Sequence, residues 1–349
     1  MKSGVDASAG GWLARLLVPA MVALAGCGGG EHPDARLAAL PIDAGSVTVS
    51  GLSAGGYMAV QFHIAHSSLV HGAGVIAAGP YLCAEDSMRH ALGRCMKGDE
   101  EIPTSRLLEI TSHLALDGTI DAIAGLADDR VWIFHGAADP VVRKPVADAL
   151  EAYYQALVDP ANIVRVEHPK AGHTFPTRSD SAAACEATAS PFIGNCGLDG
   201  ARALLEHLYG DLRDGRPPQD AELVEFDQRP YSAISGSDGL AERGWIFIPA
   251  TCAAGGAAHC RLHVVFHGCE QGRSSIGDQF VRGSGYLELA AANDLVLLFP
   301  QIEPSYQPLN PKGCWDWWGY EGDTYAVKAG PQMIAVRRMV GDVLGEPAS

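Results

Sequence analysis

Three scarcities bound what this chain can be. Positive charge is short, with 25 lysines and arginines against 41 aspartates and glutamates and a formal net charge of −16. An acidic surface disfavours nucleic acid and anionic membranes, so neither is an expected partner. Long apolar runs are missing after the N-terminus, and no stretch there has the roughly 20 apolar residues that a membrane-spanning helix needs. Metal-binding cysteine pairs are missing too. No Cys-x-x-Cys or paired Cys/His spacing occurs, which weighs against a structural zinc site. The chain also shows no internal repeat and no low-complexity block.

What is present begins with a targeting pattern. Lys2 and Arg15 precede an apolar run over 16–25 that is too short to span a bilayer but suits a secretion signal. The run ends in Leu24-Ala25-Gly26-Cys27, which resembles the lipobox of bacterial lipoproteins, where the cysteine is lipidated and becomes the new N-terminus. Residues 1–26 are therefore expected to be removed, Cys27 to carry a lipid, and 27–36 to form a flexible tether. The competing reading is an ordinary cleaved signal in which Cys27 plays no part. Either way the protein is exported: to the cell envelope, and the outer membrane in particular, if anchored, or to the outside. Membrane contact is expected through the anchor only.

Eight further cysteines remain, an even number in an exported chain, which points to disulfides. Sequence proximity suggests Cys83–Cys95, Cys185–Cys196 and Cys252–Cys260, leaving Cys269–Cys314. With 47% hydrophobic residues over 349 positions the chain can bury a large core, as one large α/β domain or two small ones.

Short β-rich runs alternate with helical patterns, the signature of a mostly parallel sheet flanked by helices. Strands are expected over 46–50, 74–78, 130–135, 163–168, 243–249, 262–267 and 294–299, and helices over 55–66, 144–157, 200–209, 283–293 and 331–344. The stretch 84–128 is partly helical without a clear strand and reads as an insertion or lid. Pro217-Pro218 has the look of a linker between two domains.

The chemistry argues for one domain instead. Gly51-Leu52-Ser53-Ala54-Gly55 sits between a β-branched run and a helix, the setting of a nucleophile elbow, in which small residues permit a sharp turn that exposes the serine hydroxyl. Serine needs a histidine to take its proton and a carboxylate to orient that histidine. Asp139 follows the strand 131–134 on a tight loop, and His173 follows the strand 163–168, so the order is Ser, Asp, His as in α/β-hydrolases. Asp139 could instead cap a helix, leaving Asp117, Asp121, Asp128 or Asp129 as the acid, while His135, His168 and His267 read as structural strand-end residues. One oxyanion donor is the N–H after the nucleophile, here Ala54. The second normally comes from a His-Gly loop upstream of the serine, yet here His267-Gly268-Cys269 lies far downstream. The order looks circularly permuted, with 220–345 supplying the first half of one sheet and 37–349 forming a single catalytic domain. Two tandem domains would leave each half without an essential part.

At this point a family resemblance emerges. Gly-Leu-Ser-Ala-Gly-Gly-Tyr-Met-Ala at 51–59, His-Gly-Ala-Ala-Asp-Pro-Val-Val at 135–142, Gly-His-Thr-Phe-Pro-Thr at 172–177, Phe-His-Gly-Cys at 266–269 and Gly-Cys-Trp-Asp-Trp-Trp-Gly at 313–319 together resemble the polyhydroxybutyrate depolymerases, in their single-domain, permuted form. The resemblance implies a circularly permuted α/β-hydrolase fold, Ser53, Asp139 and His173 as triad, and the N–H groups of Ala54 and Cys269 as oxyanion donors. It implies a serine esterase acting on an aliphatic polyester or its oligomers, with no cofactor and no metal. The lipobox departs from freely secreted members. Trp315, Trp317, Trp318 and Tyr320 suit a surface that touches an insoluble polymer. Two alternatives remain open: a carbohydrate esterase of the feruloyl or acetylxylan type, and a non-catalytic polymer-binding lipoprotein on a hydrolase scaffold.

Overall fold

Eight strands carry the molecule, and their order in space differs from their order in the chain. The computed structural model describes Met1 and residues 36–233, 238–253 and 259–347. The expected signal beyond Met1, Cys27 and all of the tether except Arg36 lie outside the described residues.

The central sheet is built from β1 (Thr48–Leu52), β2 (Gly72–Ile76), β3 (Arg130–Gly136), β4 (Ile163–His168), β8 (Leu223–Asp227), β9 (Arg243–Phe247), β10 (Arg261–Phe266) and β11 (Leu295–Phe299). Three short strands between its halves, β5 (Phe175–Thr177), β6 (Ala183–Ala184) and β7 (Ile193–Asn195), form a small separate sheet. A two-stranded ribbon of β12 (Ser305–Tyr306) and β13 (Leu309–Asn310) follows later. The order across the main sheet is β4-β3-β2-β1-β10-β11-β9-β8. All pairs from β4 to β11 are parallel, and β9 runs antiparallel to both its neighbours.

The join between the two halves of the sequence is therefore an ordinary ladder. β1 lies beside β10 in register Thr48 to His263 through Gly51 to Phe266. This is the α/β-hydrolase sheet, circularly permuted: the strands that normally precede the nucleophile strand follow it. Pro217-Pro218 joins halves of one sheet.

The helices are α1 (Ala54–Ala65), α2 (Met88–Leu92), α3 (Arg94–Lys97), α4 (Thr104–Leu116), α5 (Lys144–Gln155), α6 (Gly200–Tyr209), α7 (Arg273–Ile276), α8 (Gln279–Gly283), α9 (Tyr286–Ala292) and α10 (Pro331–Leu344). Because helices cover both faces, the inner strands are apolar on both sides. On β10, Leu262, Val264 and Phe266 enter the core with α1 and α10, while Val265 enters the core with α6 and α9. All twelve residues of α1 are buried, so its sequence carries no amphipathic stripe. α6 is the opposite case. Ala201, Leu204, Leu205 and Leu208 line its buried face, and the Asp199 side chain accepts from the Arg202 N–H to cap its start.

Four disulfides are present, Cys83–Cys95, Cys185–Cys196, Cys252–Cys260 and Cys269–Cys314, the pairings that proximity suggested. They fit an oxidising compartment outside the cytoplasm. The segment 84–128 contains helices and no strand, as read from the sequence.

Candidate active site

Ser53 stands between β1 and α1 with φ 58° and ψ −122°, a conformation that L-residues avoid at a cost of about 1–3 kcal/mol. The surrounding glycines make the turn possible. A Cβ on Gly51 would lie 2.2 Å from the Gly55 carbonyl oxygen, and one on Gly55 would lie 2.3 Å from the Phe266 carbonyl oxygen. The second contact is with β10, so the elbow and the downstream strand are packed backbone to backbone.

Asp139 and His173 meet on the loops after β3 and β4. His173 Nδ1 donates to Asp139 Oδ2 at 2.8 Å, and both side chains are buried. The other carboxylate oxygen accepts from the N–H groups of Val141 at 2.7 Å and Val142 at 3.0 Å, which fixes the carboxylate plane. The His173 N–H in turn donates to Thr188 Oγ1 at 2.9 Å. With Nδ1 committed to the carboxylate, Nε2 is the ring atom left for proton exchange.

Ser53 and His173 line one small cleft of about 150 Å³ with Gly268 and Cys269. Leu52, Val141, Val142, Phe192, Met96 and Trp317 make most of its remaining wall apolar. The His267-Gly268-Cys269 loop is held from three sides. His267, neutral because burial pushes its pKa down to about 4, donates from Nδ1 to the Gly268 carbonyl and accepts at Nε2 from the Ile302 N–H. Gln271 Oε1 accepts from the Gly268 N–H at 2.7 Å, while Gln271 Nε2 donates to the Pro191 carbonyl. The third hold is the Cys269–Cys314 disulfide.

No protein-family model matches the chain. Among curated proteins it is 43% identical over 325 residues to a poly(3-hydroxybutyrate) depolymerase of Delftia acidovorans; the match covers 92% of this chain and 64% of that relative. The chain thus spans less than two thirds of that relative's length. A polyhydroxybutyrate depolymerase of Talaromyces funiculosus is 34% identical over 334 residues, covering 92% of this chain and 96% of the relative. The chain belongs to the polyhydroxybutyrate depolymerase family. Solved structures of this family agree: PHB depolymerase from Penicillium funiculosum matches with a TM-score of 0.81 at 32% identity, over 89% of this chain and 99% of that one. A serine-to-alanine variant of PHB depolymerase complexed with R3HB trimer matches with the same figures.

Against this family frame, the expected site residues separate into two groups. Ser53, Asp139, His173 and Cys269 are brought together, and Ala54 opens α1 directly after the serine. The alternative acids lie elsewhere: Asp129 pairs with His63, Asp121 pairs with Lys328, Asp117 ends α4, and Asp128 is exposed. Of the expected aromatic surface, Trp317 lines the cleft and stacks on Tyr57 with ring centroids 4.1 Å apart. Trp318 lines the adjoining apolar groove with Met88, Leu92 and Leu309.

Two of the expected substrate residues are corrected. Trp315 is 0% exposed and packs edge-on against Phe266 and tilted against His267, so it is a core residue under the His267-Gly268-Cys269 loop. Tyr320 turns its hydroxyl inward, donating to the Cys314 carbonyl and receiving from Asn310 and Gln332, so it braces the segment. Both belong to the apolar run that the tryptophans advertise, and the run alone does not tell which members face out. Among the described residues, one cluster of three metal-type donors occurs, His168, Cys185 and Cys196, and its two thiols are spent in a disulfide.

Sequence reasoning missed Phe192, Gln271 and Thr188. Phe192 meets the His173 ring edge-on at 6.4 Å from a loop with no periodic pattern to flag it. Gln271 sits four residues past a legible motif residue, but its two-ended grip on the loop is a tertiary property.

Proposed function

We propose that the protein hydrolyses poly(3-hydroxybutyrate) or 3-hydroxybutyrate oligomers through a Ser53–His173–Asp139 triad and an acyl-enzyme. The observation that carries this reading is the shared cleft: a strained serine and a carboxylate-oriented histidine on the wall of one apolar pocket. His173 Nε2 takes the proton as Ser53 Oγ attacks the ester carbonyl carbon. The developing oxyanion accepts from the Ala54 and Cys269 N–H groups. As the tetrahedral species collapses, the carbon–oxygen bond to the leaving chain breaks and His173 returns its proton to the alkoxide. Water, deprotonated by the same ring, then cleaves the acyl-enzyme to release a carboxylic acid and free Ser53.

The larger, apolar share of the wall, Leu52, Met96, Val141, Val142, Phe192 and Trp317, supports an aliphatic polyester, while Glu270, Gln271 and Lys312 on the same cleft are the polar groups a carbohydrate ester would use. The triad likewise weighs against a purely binding role. Residues 37–349 form the catalytic domain in this reading, residues 1–26 a removed lipoprotein signal, and 27–36 a tether from lipidated Cys27. The test is a side-by-side assay on hydroxybutyrate polymer, its oligomers and feruloylated xylan, with Ser53→Ala as control. The variant is expected to fold normally and lose at least about 10³-fold in ester turnover. Turnover near the parent level would remove Ser53 from the mechanism, and preference for feruloylated xylan would reassign the substrate.

A further inference from the structure

At the far end of α1 from Ser53, roughly 18 Å along the axis by helix rise, lies a second concavity that the ester chemistry does not use. It has a volume of about 450 Å³ and is lined by His66, Ser68, Asp121, Lys328, Arg337 and Arg338, with Leu69 and Ile334. Three cations and one carboxylate face one another here, on a molecule whose net charge is −16. Local sign and global sign are opposed.

The donors are only partly spent. Lys328 Nζ donates to Asp121 Oδ1 at 2.9 Å, and Asp121 Oδ2 accepts from the Ser68 N–H and hydroxyl. Arg337 pairs with Glu346 at 2.6 Å across half-exposed surface, a pair that solvent screening makes easy to redirect. Arg338 reaches the Ser232 carbonyl at 3.5 Å, and no carboxylate pairs with it among the described residues. His66 is 5% exposed, yet its Nε2 has no hydrogen-bond partner. A buried polar atom without a partner is costly, and native structures usually give it one.

We infer that this cavity is a binding site for a phosphate group, with His66 Nε2, Arg338 and Arg337 as its donors and the Lys328–Asp121 pair as its fixed wall. With Arg337 released from Glu346 the lining carries an excess of two positive charges, which matches a dianion with several acceptor oxygens. A hydroxybutyrate carboxylate, with one charge and two acceptor oxygens, would leave part of the donor set unused. The phosphate is either free in solution or the headgroup of a lipid. The inference stands independently of the ester chemistry.

The test titrates the purified protein with inorganic phosphate by calorimetry and, in parallel, measures flotation with phosphatidic acid vesicles against phosphatidylcholine vesicles. Phosphate binding is expected to weaken roughly tenfold in Arg338→Ala, with turnover of a soluble ester unchanged. The His66 ring ¹⁵N signals should shift on phosphate addition to the parent protein. Binding confined to phosphatidic acid vesicles, and lost in Arg338→Ala, keeps the phosphate site and identifies a lipid as its source. No binding in either arm, equal binding by the variant, or 3-hydroxybutyrate binding in preference to phosphate would overturn the assignment. Arg337→Ala reads the same loss should Arg338→Ala fail to fold.

Discussion

Glu321 shows how one side chain ties the apolar segment beside the cleft to pH. Burial first, then the nearby Asp316 and Asp238 charges, raise its pKa to about 7, and its Oε1 has no hydrogen-bond partner. Asp316 is itself raised to about 6 by burial, and its own shift is partly offset because the carboxylate accepts from the N–H groups of Trp318, Gly319, Tyr320 and Glu321. A carboxyl whose folded pKa exceeds its unfolded value binds more protons when folded, so stability is full below about pH 4 and falls as pH rises towards 7. Glu321→Gln is therefore expected to raise the thermal midpoint at pH 8 and leave it nearly unchanged at pH 4. A midpoint that falls equally at both pH values would show instead that the carboxylate is held by bonds worth more than its burial. At this same scale the turn at Ser53 was legible from sequence, because a G-x-S-x-G pattern advertises its steric need directly: the 2.2 and 2.3 Å approaches at Gly51 and Gly55 leave no room for a Cβ. The inward turn of Tyr320 was not legible. Its partners Asn310 and Gln332 lie on separate elements and carry no local signature.

Among the elements, the segment from Cys314 to Tyr320 divides its labour residue by residue. Trp315 supports the His267-Gly268-Cys269 loop from below, Trp317 closes the cleft against Tyr57, and Trp318 extends the apolar surface outwards to Met88, Leu92 and Leu309, the first half-exposed and the other two well exposed. Trp318→Ala is expected to lower hydrolysis of solid polyester about 5- to 100-fold, the loss of about 1–3 kcal/mol of apolar contact, while a short soluble ester is turned over at nearly the parent rate. Equal losses on both substrates would mark Trp318 as structural. Strands with uniform apolar character were readable to within two residues at each end, as with β3 and β10, because burial on both faces leaves little else for such runs to be. β8 escaped notice: it is an edge strand with Val224 and Glu225 exposed, and it is held to β9 by pairing more than by pattern. The small sheet β5-β7-β6 escaped too, since strands of two or three residues have no period to detect.

For the whole molecule, the permuted order was inferable because the His-Gly motif, normally upstream of the serine strand, stands far downstream of it at His267-Gly268. Its physical corollary is that neither half of the chain owns a finished sheet. Denaturant unfolding followed by tryptophan fluorescence and by far-ultraviolet circular dichroism is expected to give one coincident transition. A chain ending at Arg216 should show no cooperative transition, and a sharp one would mean that the first half folds alone. The ladder between β1 and β10 joins residues more than two hundred positions apart, Thr48 with His263 and Gly51 with Phe266. Chains emerge from the ribosome, and from an export channel, N-terminus first. The turn at Ser53 is thus made early and stays without its neighbour strand until most of the polypeptide has followed, so the cleft it shares with Gly268 and Cys269 is completed only when synthesis is nearly over. A chain ordered in this way finishes its cleft late in its own making.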